Sequence, residues 1–368
     1  MKPLRWGSSC ALTIAALVLA YAPLPGLQQT LVVVSGSELQ EPLEELERRF
    51  EEQNPAIRLD LKIQGSQDMV TNYLAGKNDF TATLLIPASG DLLGELEEGW
   101  QAQNPQRGDL FVDPPQPIAK TVLVAVAWPD RAAALFPQGQ FQWSRLTEVL
   151  QTGRWEAVGG DPAWGSFNLV MTDPSRSNSG QLALGLWLDH DLGSGSLSPA
   201  SLQTPQAQSL FQLVKRSIYQ PARSTDILLQ EFIAQGPNDA DLALVYESIA
   251  LHRWSQASTS QGRPYQIYYL DPSVETVATA AVLRPQVSGG QRRSAQAFLR
   301  FLGEPEQQAV FVAYGFRPLD PALDLTTVPR SPWAETIPGA QTQLSGSLAP
   351  GIDRPTLNSL VQRWQQTP

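Results

Sequence analysis

The chain has 368 residues, 42% apolar and 17% charged, with 30 Pro and 27 Gly; that is enough for two or three domains with a sizeable core, and it excludes disordered, collagen-like and coiled-coil chains. Lys and Arg number 26 against 36 Asp and Glu, a formal charge of −10, so nothing draws the surface to nucleic-acid phosphates or anionic lipid. The one cysteine, Cys10, and the two histidines, His190 and His252, leave the body without a disulfide, a cysteine zinc site or a three-histidine metal site.

Lys2 and Arg5 precede an apolar run from Cys10 to Ala22, the charged and hydrophobic regions of an export signal. Ala20-Tyr21-Ala22 has the small-x-small form of a cleavage site, although Pro23 would follow the cut. Uncut, Trp6 to Leu27 reaches the roughly 20 residues that span a bilayer and would anchor the body. The expected location is the periplasm, free or tethered to the outer face of the inner membrane.

Residues 30–35 form a β-branched strand, and Leu39, Leu43, Leu46 and Phe50 follow at helical spacing. Strands over Ile57 to Ile63 and Thr81 to Ile86 flank a helix through Met69 to Leu74. A strand at Thr121 to Ala127 closes at Trp128-Pro129 and leads to a helix from Ser144 to Leu150. Next comes a strand at Asn168 to Thr172, whose polar loop, Ser175-Arg176-Ser177-Asn178-Ser179-Gly180, feeds a helix N-terminus. Helices at Gln206 to Ile218 and Ile227 to Ile233 precede strands at Leu242 to Tyr246, Gln266 to Leu270 and Val277 to Leu283. A helical region from Ser294 to Ala313 breaks at Gly303 to Pro305; residues 318–348 read as irregular, and an amphipathic piece at Leu357 to Trp364 docks back. Strands alternating with helices predict an α/β protein built from parallel βαβ units.

Four stretches carry a resemblance: Ser35 to Pro55, the Thr172 to Gly180 loop, Ala243 to Ser248, and Phe301 to Pro318. Together they resemble the type 2 periplasmic solute-binding proteins of ABC importers, the group that includes molybdate-, phosphate- and iron-binding members. The tail is similar to the Trp-ended tails of some von Willebrand-associated members. The resemblance implies a two-lobed fold with the ligand in the cleft: a signal or anchor in 1–27, lobe 1 in 28–128 and 276–340, lobe 2 in 129–275, and a tail, 341–368, docking on lobe 1. The crossovers are expected near Trp128-Pro129 and Asp271 to Thr276. It also implies a small-molecule or ion ligand and an ABC permease as partner; the chain is expected to be a monomer, with no nucleic-acid partner, no cofactor and no built-in metal site.

Candidate ligand contacts sit where strands meet helices, because unpaired helix N–H groups collect there. On the first lobe they are Ser35, Gly36 and Ser37, then Ser66 in Gly65-Ser66-Gln67 and Ser89 in Pro87-Ala88-Ser89. Ser37 and Gln40 alternatively form a capping box, a register that Pro42 complicates. On the second lobe they are Arg176, Ser177, Asn178, Ser179 and Gly180, then Tyr246 and Glu247. The Ser-Asn-Ser-Gly loop suits an oxyanion or oxygen-rich group held by neutral donors, with Arg176 as a guanidinium fork. Glu247 and Glu38 act against an anion and would attract a cation, or else point to solvent.

Other functions have weaker support in the residues. A hydrolase would need H-E-x-x-H, G-x-S-x-G or S-x-x-K, and no convincing instance occurs. Asp189-His190-Asp191 reads as a helix end, and neither histidine completes a nucleophile-base-orienter set. A sensory or scaffold module on the same fold is the third reading, since a fold does not fix a function.

Overall fold

The computed structural model describes residues 28–368 other than Ser194, Ser196, Tyr219 and Gln220. The expected export signal lies outside the described residues. Among them no helix is long and apolar enough to cross a membrane.

The first lobe opens with β1 (Gln29–Ser35), α1 (Gln40–Gln53), β2 (Ile57–Ile63), α2 (Ser66–Leu74), β3 (Leu84–Ile86) and α3 (Gly90–Gln103). Strand β1 is central, parallel to β2 on one side and to β3 on the other, with Val33 opposite both Leu61 and Leu84. A strand covered on both faces must be apolar on both, and β1 shows why. Leu31 and Val33 pack with Leu43, Leu46 and Phe50 of α1, while Val34 packs with Met69 of α2 and Leu92 and Leu96 of α3. Helix α3 escapes the sequence reading because Gly94 and Gly99 interrupt its pattern. Each glycine admits a neighbour: a Cβ would meet Arg354 Nη2 at Gly94 and Leu74 Cδ1 at Gly99, both at 2.6 Å.

The chain leaves this lobe on β4 (Gln116–Ala127) and returns on β8 (Glu275–Val282). Between them come α4 (Pro129–Leu135), α5 (Trp143–Thr152), β5 (Leu169–Val170), α6 (Asn178–Leu192), α7 (Pro205–Ser217), α8 (Thr225–Gln235), β6 (Leu242–Tyr246), α9 (Glu247–His252), α10 (Trp254–Gln261) and β7 (Gln266–Tyr269). The strand order is β2-β1-β3-β8-β4-β6-β5, with β7 also on β4. The parallel units of the sequence reading hold for β1 with β2 and β3 and for β5 with β6. Pairings of β4 and β8 are antiparallel, because outgoing and returning segments that lie side by side must run oppositely. Strand β4 serves both lobes: it pairs with β8 as far as Val122 and with β6 from Leu123. That change of partner precedes Trp128-Pro129, where the sequence suggests the crossover.

Helices α11 (Gly289–Leu302) and α12 (Pro305–Ala313) complete the first lobe. The tail then follows the joining segment, where Ala349 N–H donates to Ser273 O at 2.7 Å, and ends in α13 (Arg354–Gln366). The sequence reading docks this tail on lobe 1, but the apolar face of α13 lies on lobe 2. Leu360 and Trp364 join the second lobe's core, and Trp364 Nε1 donates to Asp173 Oδ1 at 2.9 Å. Arg354, ion-paired with Glu98 of α3 at 2.5 Å, reaches back from α13 to the first lobe, as do Gln341 O and Thr342 O at the start of the tail, which accept from Arg317 at 2.6 and 3.0 Å.

Candidate functional site

The two lobes meet along a seam lined by helix starts: those of α1, α2 and α3 on one side, and of α6, α8 and α9 on the other. The first N–H groups of a helix have no acceptor within it, so the seam concentrates hydrogen-bond donors and positive dipole ends.

On the first lobe the capping box of Ser37 and Gln40 does not form. A 3-10 turn, Ser37–Leu39, precedes α1 and uses no side-chain cap, and Gln40 Nε2 donates instead to Glu44. Pro42 dictates this: with α1 starting at Gln40, the proline falls in the first turn, where its missing N–H costs no bond. Ser35 is buried and donates to Gly36 O at 3.3 Å. Ser66 Oγ accepts from Ala88 N–H at 3.0 Å, tying the second loop to the third. Ser89 caps α3, accepting from Asp91 N–H at 3.2 Å.

The Ser-Asn-Ser-Gly loop of the second lobe forms a closed hydroxyl network. Ser179 Oγ is its hub, 2.9 Å from Thr172 Oγ1, 3.0 Å from Ser177 Oγ and 2.7 Å from Thr225 Oγ1. Asn178 Nδ2 donates to the Tyr246 hydroxyl at 2.9 Å and to Thr276 Oγ1 at 3.3 Å, and Thr276 donates to Ala88 O at 2.7 Å. Gly180 is required by packing, since a Cβ there would stand 2.5 Å from Thr172 O. Of these partners, Thr225 lies within Ser224-Thr225-Asp226, a capping signature readable in the sequence. Thr172 and Thr276 carry no such local signal.

Charges zip the rim. Arg176 is bound by Asp68 across the seam, its Nη2 2.5 Å from Oδ2, so its fork is occupied. Arg253 donates from Nε and Nη2 to Asp226, each at 2.9 Å, and also to Glu41 of the opposite lobe. His252 Nε2 stands 2.7 Å from the other oxygen of Glu41. These partners hold the Glu41 carboxyl below its usual range against the effect of burial. Glu247 points neither at the seam nor at solvent. Fully buried, it accepts from Arg317 Nε and Nη2, each at 2.7 Å, and from the Tyr269 hydroxyl. Burial still raises its pKa despite Arg317.

Glu38 has no such partners. The residue is partly exposed, yet its Oε1 is sealed from solvent without a hydrogen bond. Burial, with a smaller push from Asp226, raises its pKa to about 7, against the pull of its own backbone N–H. Ser248 Oγ, buried on the second lobe, also lacks a partner. Both residues line one slot between the lobes, with Ser37, Asp226, His252 and Arg253, holding about 10 Å³ of open volume. On the other side of the seam a larger cavity of about 350 Å³ reaches Ser89 and Asn178 and is walled on the outside by α13.

The model of the bacterial extracellular solute-binding protein family matches residues 31–317. The chain belongs to this family. Among solved structures, a periplasmic thiamin binding protein shares its fold with a TM-score of 0.63 at 14% identity, covering 94% of this chain and 98% of that one. The sulfate-binding protein SubI from Mycobacterium tuberculosis H37Rv has a TM-score of 0.57 at 16% identity, covering 80% and 88%. Iron-bound HitA from Pseudomonas aeruginosa has a TM-score of 0.54 at 16% identity, covering 92% and 97%. No curated protein sequence matches. At such identities the likeness is one of fold: the two-lobed type 2 periplasmic-binding-protein architecture, in a family of binding proteins.

Proposed function

We propose that the chain is an extracytoplasmic receptor that closes its lobes on a small oxygen-rich solute and delivers it to an ABC permease. The supporting observation is the pair of unpartnered buried oxygens, Glu38 Oε1 and Ser248 Oγ, on residues that line one slot from opposite lobes. A buried polar atom without a partner costs about 1–3 kcal/mol, and a solute that bonds both would recover that cost; the slot's open volume of about 10 Å³ means that the lobes must part to admit it. Helix N–H groups along the seam would meet the solute's oxygens, and Glu38 would accept from a hydroxyl or amine.

A bare oxyanion is the second reading, favoured by the helix N-termini. It requires Glu38 to keep its proton and donate, a condition that a pKa of about 7 makes sensitive to pH near neutrality. Among the neighbours of this fold, the sulfate-binding protein takes a bare oxyanion and the thiamin binding protein an organic solute.

Thermal unfolding with sugars, amino acids, amines and oxyanions tests the proposal. A ligand at 100 times its Kd adds about 2.7 kcal/mol, and Ser248→Ala should weaken its binding about tenfold. Glu38→Gln should strengthen or spare an oxyanion and weaken a donor-bearing solute. No response to the panel, in protein free of carried-over ligand, would favour a scaffold or sensory module instead.

A further inference from the structure

The 350 Å³ cavity beside α13 is not a simple extension of the slot at Glu38, because the Asn178–Tyr246–Thr276 hydrogen bonds lie in the seam beside it. Four parts of the molecule enclose it: α2 and α3 with Gln67 and Glu95, α6 with Asn178 and Gln181, the joining strand with Glu275, and α13 with Leu357. Its volume lies within the range of small-molecule sites and exceeds what an inorganic oxyanion needs. Its wall mixes amides with aliphatic side chains, so it can grip both carbon and polar atoms.

The charge on that wall is one-sided. Asp91, Glu95, Glu275 and Asp353 line it against the single guanidinium of Arg354, which is itself paired with a further carboxylate, Glu98, at 2.5 Å. Among the described residues no ion pair involves Glu95 or Glu275, although Arg354 is near enough to Glu95 to act on it. Glu95 is held only by Gln67 Nε2 at 3.0 Å, and burial raises its carboxyl pKa. Such a field repels an anion and attracts a cation.

We propose that this compartment is a binding site for a small organic cation, an aliphatic or quaternary amine, with α13 as part of the site. The amine would lie against Glu95 and Glu275, and its carbon skeleton against Leu182, Val274, Leu357 and Val361. The occupant touches both lobes, the joining strand and the tail together, so its binding fastens the C-terminal helix to the closed form. This assignment goes beyond the receptor reading and stands on a different cavity.

The test is titration calorimetry of the full chain with spermidine, choline and arginine, against sulfate and molybdate. At least one amine should bind. Leu357→Trp, which fills the compartment, should abolish that binding, and the near-isosteric Glu95→Gln should weaken it at least tenfold while leaving the fold intact. Amine binding that survives Glu95→Gln, or no amine binding at all, overturns the assignment. A ligand lost in Ser248→Ala but untouched by Glu95→Gln would leave the receptor reading standing while removing this one.

Discussion

Glu38 and Glu247 occupy comparable places in the two lobes. Each lies just past the C-terminal end of an inner strand, β1 or β6, where a helical segment begins. Burial raises the pKa of both. Glu247 is met by a bidentate arginine and a tyrosine, whereas Glu38 keeps an oxygen without any partner. Desolvation alone therefore does not mark a functional carboxylate; the unmet hydrogen-bonding capacity does. One acid ties the end of β6 to Arg317, and the other lines a narrow slot in the seam.

The sharpest way to break this contrast is to orphan Glu247 as well. Arg317→Ala leaves its carboxylate buried without a countercharge, held by the Tyr269 hydroxyl alone, and should destabilise the protein by about 3–5 kcal/mol, read from chemical denaturation at neutral pH. A loss below about 1 kcal/mol would mean that the pair is no fixture.

Glu38→Gln should act in the opposite direction and depend on pH. The folded pKa of about 7 lies above the ordinary 4.5, so the native state holds its proton longer than the unfolded state does. The wild type therefore loses stability as pH rises from about 4.5 to about 7. The variant should be more stable by about 2–3 kcal/mol at pH 8 and equal to the wild type at pH 4. An equal difference at both pH values would show that Glu38 does not titrate as described.

Smaller effects sharpen the picture of the neutral centre and the charged rim. Ser179→Ala removes the hub of three hydroxyl contacts and should cost about 1 kcal/mol or more, measured by thermal unfolding. Arg176→Ala breaks a partly exposed cross-lobe pair and should cost under about 1 kcal/mol. Its signature should be a larger radius of gyration in solution scattering without ligand, as the lobes part.

Much of this was legible in the chain. The strands Ile57–Ile63, an alternating pattern, and Leu242–Tyr246, an apolar run, match their predicted spans end to end, and the Ser177 to Gly180 loop does open a helix at the seam. What stayed hidden was the use of each side chain, because that depends on partners far away in sequence. Arg176 reads as a free fork until Asp68 arrives from the other lobe, and Glu247 reads as a ligand group until Arg317 is folded onto it. Glu38 was visible as an awkward charge, but its isolation emerges only when Asp226 and Ser248 are brought beside it. That the tail docks through Leu357 to Trp364 was legible, but where it docks was not: Gly94 and Gly185 look like helix breakers, yet they are the sockets that admit Arg354 and Ile352.

Gly65 carries one more consequence. It precedes α2 where the first lobe meets the second, and a Cβ there would lie 2.9 Å from Arg176 O and 3.3 Å from Arg223 O. Main chain meets main chain, with no side chain between to yield. Any larger residue at this position would act as a wedge, propping the jaws ajar by about the thickness of a methyl group. A Gly65 variant thus offers a way to trap the gaping form of a molecule otherwise drawn shut, and to ask how much of its grip on cargo depends on the last ångström of travel.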